Sequence, residues 1–208
     1  MSAEAIPFRL PLIAILRGIT PDEALSHARA LVEEGWDAIE IPTNSPGWND
    51  SVARLAREFP RDICIGAGTV LTTAQVDALV DAGGTLVVTP NTRPSVIAHA
   101  VARGLHVAAG VATPSEAFDA LDAGARMLKL FPASVYGPAM ASALRSVLPP
   151  SVPLFAVGGI TPDALPRYLA AGCAGAGIGG DLYKSGQSVE RTRAQARAFR
   201  QAWLDHAG

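Results

Sequence analysis

Short apolar runs alternate with longer amphipathic segments from one end of the chain to the other. Runs of about five apolar residues between turn signals are typical of buried strands. In the segments between them, apolar residues recur at i, i+3 and i+4, and most segments end in glycine, which is typical of helices. The pattern predicts eight strands: LIAIL (12–16), DAIEI (37–41), DICIG (62–66), TLVVT (85–89), HVAAG (106–110), MLKLF (127–131), PLFAV (153–157) and AGAGI (174–178).

Three of the helical segments open with a Thr-Pro pair, at Thr20, Thr113 and Thr161. Threonine is a favoured N-cap, and proline fits the first helical position because its missing N–H would have no partner there. We therefore expect a helix to begin at each of these pairs.

Eight strands, each followed by a helix, within 208 residues predict a compact single-domain (β/α)8 TIM barrel. A doubly wound open sheet has the same alternation. The near-equal units favour a closed barrel, as does the lack of a GxGxxG turn after the first strand. The sequence "GITPD" occurs at both 18–22 and 159–163, which suggests repeated units. We expect one domain over residues 1–208, with residues 1–10 as a short N-terminal extension.

Three ionisable residues fall on the strand faces that should point into the barrel. In MLKLF, Leu128 and Leu130 suit the helix layer, which turns Lys129 inward. The same alternation turns Glu40 inward, and Arg17 follows the first strand in phase with its inward residues. These side chains are therefore expected to converge at the C-terminal mouth, where barrel enzymes place their chemistry.

The lysine suggests covalent chemistry, because the chain uses fifteen arginines and only two lysines, Lys129 and Lys184. Burial favours the neutral amine, which can attack a carbonyl to form a Schiff base. An inward Glu40 could carry the protons that this reaction moves. The alternative is a structural ion pair between Lys129 and Glu40, although buried pairs are poor stabilisers. Lys184, in a polar segment, is expected to be exposed to solvent.

Two glycine pairs follow the last two strands, in "AVGGITPD" and "GIGGDLY". These loops, with a short helix N-terminus, form a phosphate site in many barrels. Glycines let backbone amides approach phosphate oxygens, so we expect anion binding at Gly158, Gly159, Gly179 and Gly180, although each pair could be only a tight turn. Thr69 and Pro90 end strands three and four and could line the same pocket, or could be ordinary strand ends.

Composition excludes several other classes of protein. The net charge of -2 gives no reason to expect nucleic acid or an anionic membrane as partner. No apolar run is long enough to span a bilayer, and the start of the chain does not resemble a signal peptide, so we expect a cytoplasmic protein. Cys64 and Cys173 have no metal-binding or CxxC spacing and are expected to be buried thiols.

The four histidines are expected to lie mostly on helix surfaces or at a strand start: His27, His99, His106 and His206. They show no ligand spacing, which makes a metal-dependent mechanism improbable. No Ser-His-Asp arrangement is visible either.

Several motifs occur in order from about residue 10 to the end: "LIAILRGITPDEA", "EIPTNSP", "IGAGTVLT", "VTPN", "LKLFPAS", "FAVGGITP" and "GAGIGGDLYKSGQSVERT". Together they resemble the bacterial class I 2-keto-3-deoxy-6-phosphogluconate aldolase family. The resemblance implies a barrel, usually a homotrimer, that uses no metal or cofactor. It also implies a phosphorylated 2-keto-3-deoxy acid as substrate, with pyruvate as a product.

The resemblance assigns roles to individual residues. It implies that Lys129 forms the Schiff base and that Glu40 carries protons. Arg17 and Thr69 would belong to the substrate site, and Pro90 would line it. The two glycine pairs match the phosphate-binding positions of the family.

Two departures distinguish branches of this family. Asn44 stands where the phosphogluconate enzymes have Arg, and Val157 stands where they have Thr. Both departures fit the branch that acts on the galactonate series, whose substrate differs at the C4 hydroxyl. Exchanging Thr for Val removes a hydrogen-bonding group beside the bond that breaks. Without that Arg, Arg17 is the cationic residue expected to anchor the substrate carboxylate. At the phosphate loop, Gly180 lacks the serine hydroxyl that is often present in the family.

Two alternative functions stay open at this point. The mechanism could act on gluconate-derived or unphosphorylated keto acids such as 4-hydroxy-2-oxoglutarate. An alternative of another class is a non-catalytic barrel that binds phosphosugars. The inward Lys129 and Glu40 argue against it, because a binder would need only the glycine loops.

Overall fold

The structure, a computed structural model, describes residues 6–207 as a closed barrel of eight parallel strands, each followed by a helix. This confirms the predicted (β/α)8 fold. The ends of every predicted strand differ by at most two residues from those of the observed strand. The strands are β1 (Leu12–Ile15), β2 (Ala38–Pro42), β3 (Cys64–Gly68), β4 (Leu86–Val88), β5 (His106–Val111), β6 (Met127–Leu130), β7 (Leu154–Val157) and β8 (Gly175–Ile178).

The helices form the outer layer: α1 (Pro21–Glu33), α2 (Trp48–Glu58), α3 (Thr73–Asp81), α4 (Pro94–Ala102), α5 (Pro114–Asp122), α6 (Ala133–Arg145), α7 (Leu165–Ala170) and α8 (Val189–Ala207). Thr20 and Thr113 are N-caps, as predicted. The prediction for Thr161 was wrong, since α7 begins at Leu165. The hydroxyl of Thr161 instead accepts a bond from the Ala164 amide at 3.2 Å, in a turn that leads into the helix.

Side chains alternate between two apolar cores. One lies between the strands and the helices and contains Leu128 and Leu130. The other fills the barrel interior and contains Met127, together with Ile13 and Ile15 of β1. The predicted inward orientation of Lys129 is therefore confirmed, because it shares a face with Met127.

The segment before β1 closes the N-terminal end of the barrel. Phe8 is buried in the interior core, and its ring centroid lies 5.9 Å from that of Phe155. The carboxylate of Asp37 accepts bonds from the amides of Arg9 at 2.7 Å and Leu10 at 3.2 Å. Residues 6–10 of the predicted extension therefore belong to the barrel, and residues 1–5 lie outside the described residues.

Other sequence predictions concern single features of the fold. Cys64 and Cys173 are both buried free thiols, as expected. Within residues 6–207, no helix has the length and apolar character needed to cross a bilayer.

Candidate active site

Lys129 and Glu40 lie inside the barrel on strands β6 and β2. Lys129 is 6% exposed and Glu40 is 2% exposed. The Lys129 Nζ atom lies 4.6 Å from the centroid of the Phe131 ring. Among the described residues, neither side chain has an ion-pair partner within 4.0 Å. The direct Lys129–Glu40 ion pair considered from the sequence is therefore not what the barrel contains.

Burial brings the two pKa values towards neutrality from opposite sides. Burial raises the pKa of Glu40 to about 7, while the charges of Lys129 and Arg17 act in the opposite direction. Burial also lowers the pKa of Lys129 to about 8, an effect that Glu40 opposes and Arg17 reinforces. Both groups can therefore gain or lose a proton near pH 7 to 8.

The Glu40 carboxylate occupies space that a glycine leaves free. A Cβ atom added at Gly68 would lie 1.9 Å from Glu40 Oε2 and 2.2 Å from its Cδ. Oε2 is buried and has no hydrogen-bond partner among residues 6–207. A buried carboxylate oxygen without a partner is costly and suits a group that bonds to a substrate or water. Sequence reasoning missed Gly68, whose role depends on the position of a residue on another strand.

Three predicted substrate residues form one hydrogen-bonded group. Arg17 donates to Asn44 Oδ1 at 2.7 Å and to Thr69 Oγ1 at 3.3 Å. Arg17 and Asn44 are exposed and Thr69 is half-buried, so the group borders the open mouth. Both bonds orient the guanidinium, which is a suitable partner for a carboxylate.

Thr69 has an unusual backbone conformation. Its φ of 55° is the only positive value at a non-glycine residue in the described part of the chain. The Thr43 hydroxyl donates to the Thr69 carbonyl at 2.7 Å, which helps to hold this conformation. Such strain recurs at functional sites, and the sequence does not reveal it.

Pro90 and Val157 supply apolar surface near the mouth. The half-buried Pro90 approaches β5 closely, since a Cβ at Gly110 would lie 2.4 Å from the Pro90 carbonyl carbon. Val157 belongs to the interior core and packs beside Gly177, where a Cβ would lie 2.9 Å from Val157 Cγ2. The site therefore has an apolar wall at Val157, where a threonine would offer a hydroxyl.

The loop after β7 requires both of its glycines. Gly158 and Gly159 have φ values of 101° and 69°, a region that favours glycine. The Gly158 carbonyl accepts a bond from the Ser134 amide at 3.0 Å, and a Cβ at Gly159 would lie 2.8 Å from Ser134 Oγ. This contact brings the exposed Ser134, which sequence reasoning missed, to the edge of the predicted phosphate site.

The loop after β8 differs from the expected helix N-terminus. The Gly179 carbonyl accepts bonds from the amides of Leu182 at 2.8 Å and Tyr183 at 2.9 Å, which makes a single helical turn. No helix lies between β8 and α8. A Cβ at Gly180 would meet no atom within 4 Å, so its backbone faces open space. An anion could therefore approach the amides of this turn.

Comparison with known proteins decides the family. The model of the family described as "KDPG and KHG aldolase" matches residues 4–196. The chain belongs to this aldolase family. It is therefore an enzyme of the aldolase class, as the sequence motifs predicted.

Individual relatives cover almost the whole chain of this aldolase. It is 55% identical over 197 residues to the 2-dehydro-3-deoxy-6-phosphogalactonate aldolase of Escherichia coli K12, covering 95% of this chain and 96% of the relative. It is 48% identical over 192 residues to a probable enzyme of the same name from Rhizobium meliloti strain 1021, covering 92% and 91%. A solved structure described as native KDPGal superimposes with a TM-score of 0.94 at 54% identity, covering 96% and 97%.

The aldolase brings most of the predicted residues to one end of the barrel. Lys129 and Glu40 approach from strands β6 and β2, Arg17 lies just after β1, and the two glycine loops follow β7 and β8. Lys184 is exposed, as expected. No cluster of three or more potential metal ligands occurs among residues 6–207.

One of the four histidines is an exception to the predicted placement. His27 does not lie on the helix surface: it is 3% exposed, and its Nδ1 lies 2.8 Å from Thr192 Oγ1. The face of α1 that carries it packs against α8, and local periodicity does not identify that partner. His106 does begin strand β5, and His206 is exposed.

Proposed function

We propose that this aldolase cleaves 2-dehydro-3-deoxy-6-phosphogalactonate into pyruvate and D-glyceraldehyde 3-phosphate through a Schiff base on Lys129. The observation that carries the proposal is a buried lysine that has no ion-pair partner within 4.0 Å among the described residues and shares the barrel interior with a buried carboxylate. The names of the two relatives support the galactonate series as substrate.

The first step uses the lowered pKa of Lys129. Its neutral amine attacks the C2 ketone of the substrate to form a carbinolamine. The carbinolamine takes up one proton from solvent and loses water, which gives an iminium; the final hydrolysis returns this proton. The positive iminium then withdraws electrons from the neighbouring carbon atoms. Neither a metal nor a cofactor takes part in this scheme.

The second step breaks the bond between C3 and C4. Glu40, acting through a bound water, takes the proton of the C4 hydroxyl, and the C4 oxygen becomes the aldehyde of glyceraldehyde 3-phosphate. The electron pair of the broken bond passes to C3 and is delocalised into the iminium as an enamine. Protonation of C3 and hydrolysis of the iminium then release pyruvate and restore Lys129.

The surrounding groups would hold the two ends of the substrate. Arg17, oriented by Asn44 and Thr69, would bind the C1 carboxylate. The loops that contain Gly158–Gly159 and Gly179–Gly180 would receive the phosphate on backbone amides. Pro90 would line the pocket between these ends.

The choice between C4 epimers should depend on the wall at Val157. Because valine cannot hydrogen-bond the C4 hydroxyl, we expect a threonine there to favour the gluconate epimer. The test is kcat/KM for both epimers, in the wild type and in Val157→Thr. We expect the wild type to prefer the galactonate epimer and the variant to shift the ratio towards gluconate by about tenfold. A wild-type preference for the gluconate epimer would overturn the substrate assignment.

The family resemblance also supports a cytoplasmic homotrimer. Light scattering during size-exclusion chromatography should give three times the chain mass of 21.5 kDa. A single-chain mass at micromolar concentration would contradict the trimer.

A further inference from the structure

A buried polar chain joins helix α1 to the loop after β8. His27 on α1 lies with its Nδ1 2.8 Å from the hydroxyl of Thr192, which is fully buried in α8. The same hydroxyl accepts a bond from Gln187 Nε2 at 2.7 Å. None of these residues belongs to the proposed reaction.

The Thr192 hydroxyl can bond to both partners at once. A hydroxyl donates one hydrogen bond and can accept two, so Thr192 accepts from Gln187 Nε2 and bonds to His27 Nδ1 as donor or acceptor according to the imidazole tautomer. Burial lowers the pKa of His27, although the charges of Glu23 and Glu190 oppose this. Burial therefore favours a neutral imidazole beside the hydroxyl.

Gln187 in turn braces the loop itself. Its Oε1 accepts a bond from the Lys184 amide at 3.0 Å, and its Nε2 also donates to the Leu182 carbonyl at 2.8 Å. One side-chain amide thus makes three bonds, two of them to the backbone of this loop. Such a cross-brace restricts a segment that has no helix or strand of its own before α8.

His27 reaches the loop by a second route, through Tyr183. The two rings meet edge to face, with centroids 5.0 Å apart and an interplanar angle of 80°. The Tyr183 amide donates to the Gly179 carbonyl at 2.9 Å. Tyr183 therefore connects His27 to the turn that contains Gly179 and Gly180.

We propose that His27 is a positioning residue that, through Thr192, Gln187 and Tyr183, holds the Gly179–Gly180 turn ready for the substrate phosphate. This inference rests on the proposed function, which assigns the phosphate to that turn. The Gly180 backbone faces open space, where an anion can approach it. The opposite side of the loop is attached to α1 by the buried contacts of His27. Loosening those contacts should weaken phosphate binding without altering the chemistry at Lys129.

The test compares the phosphorylated substrate with its dephosphorylated counterpart in Thr192→Val and His27→Leu. Thr192→Val removes both hydrogen bonds of the hydroxyl, and His27→Leu removes the one between His27 and Thr192. Each variant keeps an apolar side chain in the space. We expect KM for the phosphorylated substrate to rise about tenfold while kcat stays within about twofold. kcat/KM for the dephosphorylated counterpart should not change.

Two further variants separate positioning from general stability. His27→Asn offers an oxygen acceptor near the position of Nδ1 and should restore most of the phosphorylated-substrate KM. Ser51→Ala removes another buried hydroxyl, one that has no partner among the described residues, and should leave both substrates unaffected. Circular dichroism melting curves should show each variant folded at the assay temperature.

The outcomes are distinct from those of the proposed function. Unchanged KM values, equal losses on both substrates, or no rescue by His27→Asn would overturn the role of His27. Failure of the wild type to form a pyruvate adduct on Lys129 would instead count against the Schiff-base proposal, because pyruvate carries no phosphate.

Discussion

Substituting Gly68 by alanine tests whether Glu40 needs the space that this glycine leaves free. The added Cβ would lie 1.9 Å from Glu40 Oε2 and 2.2 Å from both Cδ and Oε1. Ordinary contact begins near 3.5 Å, so the carboxylate must move by about 1.5 Å. Since Gly68 lies in strand β3 and is held in the closed sheet, the side chain of Glu40 is the part that can give way.

The size of the effect follows from this displacement. A misplacement of about 1 Å can cost about 100-fold in rate, so we expect kcat of Gly68→Ala to fall about 100-fold. The assay is pyruvate release coupled to lactate dehydrogenase under substrate saturation. Trapping of pyruvate on Lys129 by borohydride should persist, because that lysine lies on β6 and does not depend on Glu40 for attack.

A second glycine provides the control for simple destabilisation. Gly104 has a φ of 77° and open space around its missing Cβ. Gly104→Ala should therefore lower the free energy of unfolding by about 1 kcal/mol while leaving kcat unchanged. If Gly68→Ala kept full kcat, or lost adduct formation as well, the position of Glu40 would not be what limits the rate in this variant.

Two further predictions follow from the same structure. Because Glu40 and Lys129 must both lose a proton before reaction, kcat/KM should rise between about pH 6 and 9. Glu40→Gln should cut kcat by about 100-fold or more and, by removing the charge that raises the Lys129 pKa, move the remaining rise to lower pH. An unchanged pH profile in Glu40→Gln would contradict this. Asp37→Ala should lower the free energy of unfolding by about 2–3 kcal/mol in urea titrations, because the backbone amides of Arg9 and the buried Leu10 lose their acceptor. Arg9→Ala, whose side chain is 79% exposed, should cost less than about 1 kcal/mol. Equal losses in both variants would contradict the role given to Asp37.

The strands and the direction of their side chains could be predicted because they depend on local alternation. Lys129 points inward because Leu128 and Leu130 belong to the helix layer, and this follows from five letters of sequence. The Thr-Pro pairs at Thr20 and Thr113 mark helix starts for equally local reasons.

Features that depend on distant packing could not be predicted. The space at Gly68 exists for a carboxylate on β2, and the burial of His27 depends on α8, which is more than 150 residues away in sequence. The backbone conformation of Thr69 is held by Thr43 from the neighbouring loop. Thr161 resembled the other Thr-Pro pairs, yet a turn intervenes before α7. For Gly68, His27 and Thr69 the deciding partner is not a sequence neighbour, whereas the turn at Thr161 is local.

Borohydride trapping with pyruvate, followed by peptide mass mapping, shows directly whether Lys129 forms a Schiff base. The chain contains two lysines, one buried in the barrel and one exposed, so the site of reduction is unambiguous. We predict a reduced pyruvyl adduct on Lys129 in the wild type and none in Lys129→Arg, because a guanidinium keeps its proton. No adduct in the wild type, or one found only on Lys184, would contradict the Schiff-base mechanism.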